Sequence, residues 1–107
     1  MTVKRLRATN VNPSRVLVLD TRNPNQVLVA INRLTGTAQA TLQYTYDEPF
    51  EGIDLNEHAG WVSLTELENV SEIPAEAIFE QAPSAIRLIV SNGEGSAELY
   101  VKQGSYR

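Results

Sequence analysis

The sequence predicts an all-β fold, an antiparallel β-sandwich of jelly-roll or Ig-like type with an extended N-terminal arm, and three observations carry that expectation. Residues 37–46 alternate without a break, with Ala38, Ala40, Leu42, Tyr44 and Tyr46 on one side and Thr37, Gln39, Thr41, Gln43 and Thr45 on the other. A period of two over that length is a half-buried strand. Near the C-terminus Ile86, Leu88 and Val90 alternate, then Ala97, Leu99 and Val101, and the intervening Asn92-Gly93-Glu94-Gly95 has the glycines of a tight hairpin. Asn-Pro pairs at Asn12-Pro13 and Asn23-Pro24, with the turn Leu34-Thr35-Gly36, cut the rest into short runs spaced like sandwich strands.

Taken in chain order, residues 1–13 show neither clear alternation nor an acid and are expected to form a basic arm, with residues 14–107 as the sandwich domain. Fixing backbone costs about 1–2 kcal/mol per residue, so such an arm would order only on a neighbouring protein. Deleting residues 1–12 should then leave the domain folded. Arg15–Leu19 and Gln26–Asn32 are β-branched-rich runs and are expected to be strands. Asp47–Gly60, with Pro49, Gly52 and Gly60 among acids, is expected to be a long loop, and Trp61–Leu64 a short strand. Pro74–Ala82 fits either a helix opened by its proline or a strand through Ala77–Phe79. A lone short helix is marginal, which favours the strand or a single turn.

A chain of 107 residues, 42% of them hydrophobic, makes one domain without room for a cleft between lobes. The absence of cysteine excludes disulfides, thiolate metal sites and cysteine nucleophiles. Its longest apolar run, Val27–Ile31, is far shorter than the roughly 20 residues that span a bilayer, and Met1–Arg7 lacks the apolar stretch of a secretory signal. Neither a membrane span nor a membrane partner is expected. The net charge of −4 is unevenly spread: residues 1–46 net +5, residues 47–80 net −10 with no Lys or Arg, and the remainder +1. That polarity would keep the protein soluble, or would let a basic end and an acidic middle meet head to tail. Specific nucleic-acid binding is disfavoured, because the acidic segment would repel phosphates.

No constellation in the sequence points to catalysis. The single histidine, His58, lies in an acidic stretch with Asp54 and Glu57, and no Gly-x-Ser-x-Gly elbow accompanies it. Acids at 47, 48, 51, 54 and 57 lack the order of an EF-hand loop. Gly93-Glu94-Gly95 leads into a strand, not a helix N-terminus, and is therefore a turn rather than a phosphate loop. Asn69-Val70-Ser71 matches a glycosylation sequon, with no consequence in the absence of a secretory signal. No enzyme activity, cofactor or metal is expected. Residues suited to contacts with partners are Lys4, Arg5 and Arg7 in the basic segment, Arg87 inside an apolar run, and the aromatics Trp61 and Tyr100. Arg87 is read either as an outer-face arginine whose stem lies on Ile89 or as an interface anchor. Tyr44 and Tyr46 are assigned to the core, while Phe50 and Tyr106 are left unplaced.

Gln43-Tyr44-Thr45-Tyr46-Asp47-Glu48-Pro49, the isolated Trp61, Ala85-Ile86-Arg87-Leu88 and Gly95-Ser96-Ala97-Glu98-Leu99 followed by Gln103 resemble small head-associated structural proteins of tailed bacteriophages. The likeness spans roughly residues 26–103; Glu66–Glu80 departs from it in being acid-rich. What the resemblance implies is a capsid decoration or cementing protein: a β-sandwich, a homo-oligomer, bound to the major capsid protein on the exterior of the virion. An alternative is a tail or neck component, or a glycan-binding module, for which Trp61 and Tyr100 would have to lie side by side.

Overall fold

A computed structural model describes residues 2–19, 26–46 and 60–103. Two four-stranded antiparallel sheets pack face to face as a β-sandwich. The strands are β1 (Thr2–Thr9), β2 (Leu17–Val18), β3 (Val27–Leu34), β4 (Gln39–Thr45), β5 (Val62–Ser63), β6 (Ala75–Phe79), β7 (Ala85–Asn92) and β8 (Ser96–Gln103). One sheet has the order β1-β8-β3-β6 and the other β2-β7-β4-β5.

Alternation drives the packing. Val27, Val29 and Ile31 of β3, Leu99 and Val101 of β8, and Leu6 and Ala8 of β1 point inward from the first sheet. They meet Leu17 of β2, Ile86 and Leu88 of β7, and Ala40 and Leu42 of β4 from the second. Burying a side chain of this class stabilises by about 1.5–3 kcal/mol, so the two inner faces supply most of the driving force. Residues 64–70 close one flank: a 3₁₀ turn at Thr65–Leu67 drops Leu67 into the core, and Val70 exchanges both backbone hydrogen bonds with Ala40.

The basic N-terminal segment is not an arm. Residues 2–9 form β1 and pair with β8 along their whole length, from Thr2 opposite Gln103 to Thr9 opposite Ser96. Within Lys4-Arg5-Leu6-Arg7-Ala8 the pattern is a strand pattern, Leu6 and Ala8 inward and Arg5 and Arg7 outward, too short to stand out between charged neighbours. The division into a 1–13 arm and a 14–107 domain therefore gives way to one sandwich that includes β1.

The glycine-containing turn at 92–95 also differs from expectation. Instead of a hairpin, it carries the chain from one sheet across to the other, since β7 pairs with β2 and β4 while β8 pairs with β1 and β3. The β3–β4 connection crosses in the opposite direction, and the two crossings bind each other: Thr37 N–H donates to Glu94 O at 2.9 Å and Thr35 N–H to Ser96 O at 2.9 Å. Gly93 and Gly95 have φ of 76° and 133°, and a Cβ on either would run into the carbonyl of Thr37 or Thr35. Backbone here touches backbone, which only glycine permits.

Other elements follow the periodicity. The 37–46 run is β4 with Tyr44 half-buried, edge-on to Phe79 at 5.5 Å, although Tyr46, placed in the core by alternation, lies past the strand end and is 63% exposed. The 74–82 segment is the strand β6 rather than a helix, because Ala75, Ala77 and Phe79 complete the inner face beside β3. Of Arg15–Leu19 only Leu17–Val18 join the sheet. His58, Phe50, Tyr106 and all of the expected loop Asp47–Gly60 except Gly60 lie outside the described residues.

Candidate functional site

Strand alternation sorts five of the six expected contact residues onto two opposite outer faces, each with an arginine against an aromatic ring. On the β2-β7-β4-β5 sheet, Arg87 of β7 is directly opposite Gln43 of β4, and Gln43 is opposite Ser63 of β5. Trp61, two residues before Ser63, brings its ring under the Arg87 guanidinium with 4.5 Å to the ring centroid. Arg87 Nε–H donates to Gln43 Oε1 at 2.8 Å. Desolvation by the surrounding side chains lowers the Arg87 pKa from its ordinary value; the guanidinium still carries its charge at any physiological pH. Arg87 thus lies on the outer face of this sheet, with its guanidinium held over an indole of the same chain. Beside it runs a groove of about 250 Å³ lined by Asn10, Asn12, Pro13, Arg87 and Ile89.

The outer face of the β1-β8-β3-β6 sheet holds the second pair. Arg5 is opposite Tyr100 in the β1–β8 ladder; its guanidinium lies 5.9 Å from the ring centroid, and its Nε is 4.0 Å from Glu98 Oε1. Arg7 is opposite Glu98. Continuing across the sheet, Tyr100 is opposite Ala30, and Ala30 is opposite Glu76 of β6; the neighbouring row passes from Lys102 to Leu28 to Ile78, which is 52% exposed. Arg5 and Arg7 thus lie on one edge strand of this face and Glu76, beside Ile78, on the other, with Leu28 and Ala30 of β3 between.

No family model, curated protein or solved structure matches this chain. The site therefore rests on its own geometry. Lys4 does not join Arg5 and Arg7: its place in the alternation is that of Leu6, on the core side, where it lines a crevice of about 60 Å³ with Leu17, Leu19, Val101 and Gln103. Trp61 and Tyr100 stand on opposite sheets and form no common stacking platform.

Sequence reasoning missed Gln43 as a partner of Arg87 and Glu98 as a partner of Arg5. Each is visible as an outward position of an alternating strand, but cross-strand neighbours are set by sheet order, which alternation does not encode. It also missed a polar cluster on the sheet that carries Arg87. Asn69, the sequon asparagine, adopts a φ of 51° and its Oδ1 accepts from Ser91 Oγ at 2.7 Å and Asn92 Nδ2 at 3.1 Å, while its N–H donates to Thr41 Oγ1 at 2.9 Å. Asn tolerates that left-handed conformation better than most residues, so this position answers to backbone geometry and strand anchoring. Among the described residues no group of three His, Cys, Asp or Glu side chains gathers to hold a metal ion, and no helix is long and apolar enough to cross a membrane.

Proposed function

We propose that this protein is a virion structural protein, a decoration or cementing protein that binds the exterior of a phage capsid and bridges neighbouring major capsid subunits, and that its sandwich is a jelly roll. The strand pairing supports the second part. β1 pairs with β8, β2 with β7, β3 with β6 and β4 with β5, which is one long antiparallel ribbon folded so that successive pairs fall in alternate sheets. Immunoglobulin-type sandwiches group their strands as ABED against CFG and do not produce that order. Jelly rolls of eight strands recur in viral capsid and lectin domains.

One observation carries the bridging role: the Arg87–Trp61 pair and the Arg5–Tyr100 pair face away from each other on opposite sheets. Arginine and aromatic residues are enriched where protein surfaces meet. A domain with such a patch on each side can hold two neighbours at once, and many weak contacts of this kind add up over a shell. The protein acts through surfaces, without a reaction. A glycan-binding role is favoured by one feature, the groove of about 250 Å³ beside Arg87 with Asn10 and Asn12 on its wall.

The test is saturable co-sedimentation of the purified protein with heads assembled without it. Arg5→Glu with Arg7→Glu should weaken that binding at least about tenfold, as expected for like charges brought to an acidic partner surface. Binding to immobilised glycans with no affinity for heads would instead establish the lectin reading.

A further inference from the structure

The β1-β8-β3-β6 sheet has two longer edge strands that carry opposite charge. In the other sheet the edge strands β2 and β5 are only two residues long, which leaves little to pair with. Here the edges are β1, with eight residues, and β6, with five. Among the described residues neither has a strand on its outer side. On β1 the outward-directed backbone groups can be identified: Arg5 O accepts from Arg15 Nη2 at 3.5 Å and Thr9 N–H donates to Asn12 O at 2.9 Å, both off the sheet edge. Antiparallel backbone groups alternate sides residue by residue, so the groups of Arg5 and Arg7 face this edge; Asn12 already pairs with Thr9 there and Arg15 reaches Arg5 O, so a neighbouring strand would pair with Arg7 and displace the long Arg15 contact at Arg5.

Exposed edges are commonly protected by charge. Protection would be served by the same sign on both edges, yet β1 presents Arg5 and Arg7 while β6 presents Glu76, with Glu80 just past its end, where its carboxylate accepts from Gln26 Nε2 at 2.8 Å. Strand direction agrees with the charges. With four alternating strands, β1 and β6 run antiparallel, so a copy added in the same orientation lays its β1 antiparallel to β6 of the first and continues the sheet. A two-fold pairing of β1 with β1 would oppose arginines, and one of β6 with β6 would oppose glutamates.

We propose that the protein associates head to tail, β1 of one copy against β6 of the next, through backbone pairing guided by the opposite charges of Arg5 and Arg7 at one edge and Glu76 and Glu80 at the other. The contact is heterologous and yields rings or filaments rather than a two-fold dimer. Five paired residues make a small interface, so association is weak in solution and strengthens wherever copies are concentrated on a surface. It needs no shell, and stands or falls apart from the capsid reading.

The test is sedimentation velocity of the purified full-length chain at low ionic strength, up to about 1 mM, where contacts of this class are measurable. Wild type should form species larger than dimers, in amounts that fall with added salt. Arg5→Glu/Arg7→Glu and Glu76→Lys/Glu80→Lys should each weaken association at least about tenfold, because each puts like charges across the contact. Mixing the two variants should restore it, since each then offers the edge the other lacks. All four positions are exposed or at the rim, and unchanged thermal unfolding of each variant separates lost pairing from lost folding. A wild-type monomer at every concentration, a species that stops at two copies, or a mixture that fails to recover would overturn the proposal.

Discussion

Arg87 shows how one side chain gains meaning from the strand beside it. Its stem is held by alternation, its Nε by Gln43 at 2.8 Å and its head over the indole of Trp61. Arg87→Ala should cost about 1–2 kcal/mol in urea unfolding, the sum of a partly desolvated cation–π contact and one hydrogen bond. Lysine should not restore the loss, because it lacks the planar head that stacks and donates at once. Trp61 is the sole tryptophan, so a change in its emission on Arg87→Ala would report the same contact directly. Ser14 is a second position of this kind. It is almost fully buried, its N–H donates to Leu88 O and its Oγ accepts from Leu88 N–H, both at 2.8 Å. Ser14→Ala leaves a buried amide unpaired and should lower stability by about 1–3 kcal/mol in the same assay.

Among the elements, the crossing at residues 92–95 and the strand β1 carry the sharpest consequences. Gly93→Ala forces a Cβ into the Thr37 carbonyl in a left-handed conformation and should destabilise by more than about 2 kcal/mol, measured by chemical denaturation. Removing residues 1–9 strips Leu6 and Ala8 from the core and takes away the whole ladder partner of one side of β8. The truncated chain should lose more than about 3 kcal/mol or fail to unfold cooperatively, the opposite of what an independent arm would give. What was legible beforehand were elements whose alternation runs long enough to show: β4, β7, β8 and the inner residues of β3. Sheet partners were not legible. An Asn-Gly-rich turn between two alternating runs reads the same whether the runs pair or part, and its crossing of the sandwich depends on the distant Thr35–Thr37 backbone. β1 was hidden because its two inward residues, one of them alanine, sit among three cations.

At the scale of the molecule, part of the charge separation along the chain becomes a separation in space. Arg5 and Arg7 of the first segment lie on β1 and Glu76 of the middle segment on β6, at opposite edges of one sheet, while the two arginine–aromatic patches point away from each other. On the proposed reading, a small domain with such surfaces bridges neighbours in a shell whose subunits repeat. Its central consequence is a copy number. On the proposed capsid reading, quantitative protein analysis of purified virions that carry this protein should find it in numbers comparable to the major capsid subunit, whereas a handful of copies per particle, or none on the head, would contradict the account.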